Sequence, residues 1–287
     1  MEQIELLYWQ DVSYTLLATL YSRAHESRSK NPILTDPQAE EIVRKLTPHL
    51  AQAPHKLHQN LAKGKLDKNL VVHIALRAKR YDDYTRRFLQ QAPNGVVVNI
   101  GAGLDTRFHR VDNGRVQFYD LDFPEVIALK RKLLNESDRY HFIASSVLDF
   151  AWMEQVAAFK DRPFLFLAEG VFMYLHETDV KSLVLALQAH FPGCELVCEV
   201  VNAAWLRPSL KWMIDMKLQR EMQFGKGVTY HFGIEDGREL ESWHEGIEFL
   251  DEWSYFDEPE EKLGVLKLFR HIPLLRKTQW TVHYRLH

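Results

Sequence analysis

In VVVNIGAGLDTRFHR (residues 96–110), a run of five residues with four apolar side chains passes directly into Gly101-Ala102-Gly103. Such a run is expected of a central strand covered on both faces by crossover helices. Glycine directly after it lets the backbone turn tightly and approach a ligand at the strand's C-terminal end, where open α/β sheets bind. Strand-to-helix junctions also use glycine for geometry alone, so Gly101 and Gly103 are open to both readings.

Outward from this stretch the pattern changes character near residue 93. Upstream, residues 11–28, 37–50 and 68–91 place apolar residues at three and four spacing, and Asp36-Pro37 is a helix-start signal. Downstream, strand patterns at 95–100, 115–121, 140–145, 164–169, 195–201, 247–255 and 278–286 alternate with helical patterns at 123–134 and 178–191. Like residues 95–100, FLFLAE (164–169) is a continuous apolar run. The last strand alternates Trp280, Val282 and Tyr284 against Thr281, His283 and Arg285, as an antiparallel or edge strand would. The expected fold is α/β: a doubly wound seven-stranded sheet with one reversed strand. Residues 1–92 are expected to form a helical N-terminal cover and 93–287 the core. Residues 202–240 depart from the repeat. They read as a helix (205–224) followed by glycine-rich GKGVTYHFG, either a lid insertion or an ordinary connection.

The 287 residues carry 36 basic and 39 acidic side chains, a net charge of −3, which provides no global field for wrapping nucleic acid. The acidic start MEQIE has the wrong sign for a signal peptide. The most apolar stretch, PFLFLAEGVFMYL, is interrupted by Glu169 and falls short of the ~20 residues of a bilayer span. Cys194 and Cys198 lie four apart in a strand pattern, about 13 Å between Cα atoms. That exceeds the ~7 Å limit for a disulfide. Two free buried thiols, and with them a cytoplasmic protein that engages neither membrane nor nucleic acid, are expected.

Asp122, in Tyr119-Asp120-Leu121-Asp122, follows Gly101 by 21 residues. An acid about 20 residues past such a turn can accept both hydroxyls of an adenosine ribose, in NAD and S-adenosylmethionine alike. As a separate role, Asp122 can cap the helix opened by Pro124. Thr106 stands where the NAD fingerprint has its third glycine, about ninety residues precede the turn, and the last strand reads as reversed. These three features favour S-adenosylmethionine. His176-Glu177-Thr178-Asp179 has metal-ligand residue types but precedes a helix, so Glu177 or Thr178 is expected to serve that helix start and no metal site is expected.

The strings YSRAHES (21–27), ILTDPQAEEIV (33–43), NIGAGLDTRF (99–108), YDLDFPEVIALK (119–130) and LAEGVFMYL (167–175) resemble the leucine carboxyl methyltransferase family, within it the tetracenomycin-type polyketide O-methyltransferase branch. The resemblance spans roughly residues 14–201. It implies a class I S-adenosylmethionine-dependent methyltransferase. Arg77 matches the arginine that clamps the methionine carboxylate, Gly101 and Gly103 the cofactor turn, Asp122 the ribose acid, and Glu169 the acid facing the methionine part. Where the family has an Asp-Leu pair for the adenine, this chain has Ser145-Ser146-Val147-Leu148-Asp149, making Ser146 the aligned residue and Asp149 a second candidate.

Tyr174 is placed near the transferred methyl as a catalytic candidate, with core packing as the alternative. Arg23 reads either as a ligand contact or as a surface salt bridge. Trp205, Trp212 and Trp243 read as acceptor-pocket lining or as core and lid packing. The expected activity is methyl transfer to a small-molecule acceptor at a carboxylate. A protein carboxyl group as acceptor, a non-catalytic cofactor-binding protein and an NAD dehydrogenase are the alternatives.

Overall fold

A computed structural model describes residues 12–217 and 229–287. Its described residues divide into two compact units: 12–80, 104–110, 212–217 and 229 in the first; 81–103, 111–211 and 230–287 in the second.

The first unit is helical. It contains α1 (Val12–Ser27), α2 (Pro37–Ala51), α3 (Lys56–Ala62) and the first half of α4 (Lys68–Gln91). Asp36 caps α2 by accepting the Ala39 N–H at 3.0 Å, and Pro37 occupies the first turn, where its missing N–H costs no bond. Ala39, Ile42, Val43, Leu46 and Leu50 then make one buried stripe at helical spacing. α3 lies in a stretch without a strong periodic signal; His55 precedes it without a side-chain cap bond, and the helix is held by burying His58 and Leu61.

The second unit is built on one sheet. Its strands are β1 (Val96–Ile100), β2 (Gln117–Asp122), β3 (Tyr140–Ala144), β4 (Phe164–Ala168), β5 (Cys194–Val201), β6 (Ile247–Trp253) and β7 (Gln279–Leu286), in the order β3-β2-β1-β4-β5-β7-β6. All seven expected strands are present. β1 pairs in parallel with β2 and β4, and both β1 and β4 are buried along their whole length, as their unbroken apolar runs imply. β7 is antiparallel to β5 and β6, the one reversed strand. Its alternation does not mark an edge, because β6 lies outside it and Thr281 is buried.

Besides the short helices α5 (Arg107–Val111) and α7 (Met153–Val156), helices α6 (Pro124–Leu133) and α8 (Glu177–His190) occupy the expected intervals. The helix read over 205–224 begins later, at Pro208, as α9 (Pro208–Lys217). Before it, residues 203–206 form a 3-10 turn capped by the Asn202 side chain, and Pro208 favours the extended backbone seen at Arg207, which separates that turn from α9. The remainder of that expected helix and most of GKGVTY lie outside the described residues. Cys194 and Cys198 are free and buried, and burial pushes both thiols up in pKa. Among the described residues, no helix is long and apolar enough to cross a membrane.

Candidate active site

The parallel register brings the C-terminal ends of β1, β2, β3 and β4 together, and with them Gly101, Asp122, Ser145 and Glu169. Gly101 has φ +64° and Gly103 φ +50°, a left-handed conformation that glycine adopts without penalty. A Cβ at Gly101 would lie 2.5 Å from Val171 Cγ2, so the turn needs glycine for its own packing as well. We expect Gly101→Ala to cost about 1–3 kcal/mol. Thermal denaturation of Gly101→Ala beside Gly101→Ala/Val171→Ala tests this. The double variant should recover the clash and keep the conformational penalty; equal melting of wild type and Gly101→Ala would refute the account.

Asp122 ends β2, and its carboxylate is held by two backbone donors. The Gly103 N–H donates to Oδ2 at 2.7 Å and the Phe123 N–H to Oδ1 at 2.7 Å. Neither donor belongs to the first turn of α6, whose N-cap is Phe123 without a side-chain bond. The helix-cap reading of Asp122 is therefore corrected: the carboxylate joins β2 to the glycine turn. A carboxylate has about four lone-pair sites, so acceptor capacity for a vicinal diol remains. Burial raises its pKa, and the two N–H groups and Lys130 partly offset that.

Asp120, two residues earlier, has a different role. It is buried, accepts from Tyr140 Oη at 2.5 Å and Asn99 Nδ2 at 3.2 Å, and pairs with the fully buried Lys130 ammonium at 2.5 Å. These contacts tie β1, β2, β3 and α6 together below the site.

In the connection after β3, the Ser146 hydroxyl accepts the Leu148 N–H at 3.3 Å and Asp149 caps a 3-10 turn by accepting the Ala151 N–H at 3.3 Å. Buried Trp152 donates to the Val147 carbonyl at 3.1 Å, which fixes this connection. Both candidate adenine residues thus sit on one anchored loop. Phe123, next to Asp122, and Leu148, next to Asp149, are 48% and 39% exposed and present apolar surface beside these carboxylates in sequence. Sequence reading passed over them because nothing local distinguishes them from core residues.

Glu169 is half-buried immediately after β4. Tyr81, fully buried on α4, places its hydroxyl 3.4 Å from the Ala168 carbonyl. Desolvation raises its pKa well above the ordinary phenol, and the Glu199 and Glu169 carboxylates add to that. Tyr81 was not singled out from the sequence; its only signal is its place four residues after Arg77. Arg77 itself is buried on α4.

Tyr174 closes a 3-10 turn after Glu169, half-exposed, with its ring 5.4 Å from that of Tyr230. His176 is the exposed N-cap of α8, without a side-chain cap bond; Glu177 and Asp179 occupy the first turn. Glu177 serves the helix start through its charge in the first turn, one of the two residues expected to do so, and Thr178 lies within the helix. The His176 ring packs at 4.4 Å against His231, whose pKa is lowered by desolvation and by the neighbouring His176 and Lys211. Arg23 is not on the surface: it is 5% exposed and pairs with Asp36. Trp205 is buried, Trp243 packs on the core, and Trp212 is 58% exposed.

The glycine turn, Asp122 and the loop after β3 lie within the stretch that matches known proteins. The leucine carboxyl methyltransferase family model matches residues 16–188. The tetracenomycin polyketide synthesis O-methyltransferase TcmP of Streptomyces glaucescens is 32% identical over 249 residues, covering 86% of this chain and 84% of TcmP. The S-adenosyl-L-methionine-dependent methyltransferase dpfgK of Gibberella zeae is 26% identical over 249 residues, covering 83% and 80%. Among solved structures, a DUF574 family protein from Streptomyces avermitilis shares the fold with TM-score 0.56 at 15% identity, covering 94% of this chain and 97% of that one. Because the family model spans more than half the chain, from α1 through the glycine turn, Asp122 and Glu169 to α8, this protein belongs to the leucine carboxyl methyltransferase family.

Proposed function

We propose that the protein is an S-adenosylmethionine-dependent O-methyltransferase for a small-molecule acceptor of polyketide or similar secondary-metabolite type, with a carboxylate as the receiving oxygen. The observation that carries the cofactor reading is the Asp122 carboxylate, fixed by two backbone N–H groups at a strand end beside a left-handed glycine turn. When bound, S-adenosylmethionine supplies a methyl group on a sulfonium centre for in-line displacement. Asp122 accepts the ribose hydroxyls, Phe123 and Leu148 give the adenine apolar contact, and Ser146 and Asp149 offer it polar groups. Arg77 holds the methionine carboxylate with its fork, and Glu169 pairs with the ammonium. Tyr174 borders the acceptor oxygen. The chain's main task is to align two ligands and exclude water. The names of TcmP and dpfgK support this reading.

Calorimetry with S-adenosylmethionine, S-adenosylhomocysteine and NAD tests it. The two sulfur ligands should bind and NAD should not; the reverse would overturn the proposal. Arg77→Ala should weaken binding of S-adenosylhomocysteine about ten- to a hundredfold, the loss of one charged hydrogen bond. Unchanged affinity would remove Arg77 from the site.

A hydroxyl acceptor is the second reading, favoured by the exposed His176 ring against His231, which offers an imidazole base. A carboxylate is already ionised at neutral pH, so the rate at saturating cofactor should stay flat from about pH 6 to 8. A rate that climbs through an imidazole pKa and falls steeply in His176→Ala would replace carboxyl with hydroxyl methylation.

A further inference from the structure

We infer that Arg23 and Asp36 are positioning residues for the cofactor turn: a buried ion network centred on them holds the backbone of Leu104, the residue covalently attached to Gly103. The inference rests on the cofactor reading above and extends it to residues of a buried ion network away from the strand ends.

Asp36 is completely buried and accepts from three separated stretches of chain. Besides the Ala39 N–H of α2, it receives Arg23 Nε at 3.1 Å from α1, and Thr106 Oγ1 at 2.6 Å and Arg110 Nη1 at 2.7 Å from the segment after the glycine turn. Burial alone would raise its carboxyl pKa, but the Arg110 and Arg23 guanidiniums and the Thr106 hydroxyl hold it below the usual carboxylate range. Within the same segment, Arg107 Nη1 meets Asp105 Oδ2 at 2.6 Å and Arg110 Nη1 meets Thr106 Oγ1 at 2.8 Å.

The arm of the network that matters for the turn is Arg23 Nη2, which donates to the Leu104 carbonyl at 2.8 Å. On the other side of the Gly103–Leu104 peptide, the Gly103 N–H donates to Asp122 at 2.7 Å. Consecutive residues are thus pinned in opposite directions along the chain, one to the ion network and one to the ribose acid. Consecutive Cα atoms are only ~3.8 Å apart, so a slip of about 1 Å at Leu104 carries over to the bond at Gly103. Buried ion groups pay heavily for desolvation, and apolar packing often serves stability as well or better; their best-attested use is to set register. Here the register set is that of the loop Gly101–Leu104. Arginine suits position 23 because two separate nitrogens, Nε and Nη2, meet the Asp36 carboxylate and the Leu104 carbonyl with a fixed spacing that the single nitrogen of a lysine does not supply.

The test is binding of S-adenosylhomocysteine to wild type, Arg23→Lys, Arg23→Ala and Thr106→Val, each measured well below its own melting temperature so that global stability does not enter. Arg23→Lys should bind about tenfold more weakly, and Thr106→Val, which removes one hydroxyl and no charge, a few-fold more weakly. Ethylguanidinium at millimolar concentration should restore part of the affinity of Arg23→Ala, and methylammonium should not. Amide exchange at Gly103–Asp105 should accelerate in the Arg23 variants while α2 keeps its protection. If wild type binds and the folded Arg23 variants match it, the inference is wrong and the cofactor reading stands. If wild type does not bind, the cofactor reading fails and takes the inference with it. If the Arg23 variants do not fold, Thr106→Val decides: wild-type affinity in that variant overturns the inference, and a few-fold loss supports it.

Discussion

Asp120→Asn is expected to destabilise the protein by about 3–5 kcal/mol, because it leaves the Lys130 ammonium buried without its counter-charge. Lys130 has no exposed surface, and its nearest acid is Asp120 Oδ2 at 2.5 Å. At roughly 2–4 °C per kcal/mol for a chain of this size, melting should fall by about 6–20 °C. Asp120→Asn/Lys130→Met should recover most of the loss, since a well-packed apolar replacement of a buried pair is often neutral or stabilising. Tyr140 donates to one Asp120 oxygen and Asn99 to the other, and asparagine keeps only one of these acceptors, so one lost or reversed hydrogen bond adds to the cost of the unpaired ammonium. Circular dichroism melts of the single and double variants check this, and a single variant melting with wild type would show that the pair carries no such energy.

Asp122→Ala should leave melting closer to wild type and reduce affinity for S-adenosylhomocysteine about ten- to a hundredfold. The pH dependence sharpens the prediction. The ribose hydroxyls donate to the ionised carboxylate, so a proton on Asp122 competes with the ligand. Affinity should be highest above the carboxyl's free-protein pKa and fall as pH drops through it. Because burial raises that pKa, the fall begins at higher pH than for an ordinary aspartate near 3.9. In the unliganded protein the sign is opposite: a raised folded pKa gives a stability contribution that is present below the unfolded pKa and lost as pH rises through the folded one. Calorimetry from about pH 4.5 to 7.5 should show the acid-side loss in wild type and a flatter profile in Asp122→Asn. Equal affinity and equal profiles would remove Asp122 from the ribose site.

These two carboxylates show where sequence reading stops. Asp120 and Asp122 are two residues apart on one strand, so the period of two puts both on the same face and cannot separate their roles. They differ in height. Asp120 pairs in register with Asn99 and Phe142 inside the sheet, and Asp122 is the last residue of β2, level with Ala144 at the strand ends. Arg23 poses the same difficulty in another form. A charged residue in a helix reads as a surface group by default, and its burial depends on a carbonyl 81 residues away.

By itself, the sequence determined the alternation of strands and helices, the central place of β1 and β4, the reversal of β7, and glycine at 101. Each of these rests on chemistry within a few residues: side-chain periodicity, unbroken apolar runs and the backbone freedom of glycine. Only the tertiary structure decided that β7 is an inner strand, that Asp122 binds the glycine turn instead of capping α6, that Tyr81 reaches the Ala168 carbonyl, and that Arg23 is buried against Asp36 and the Leu104 carbonyl. The reason is that a buried polar group is defined by its partners, and those partners come from chain segments whose meeting no local pattern encodes.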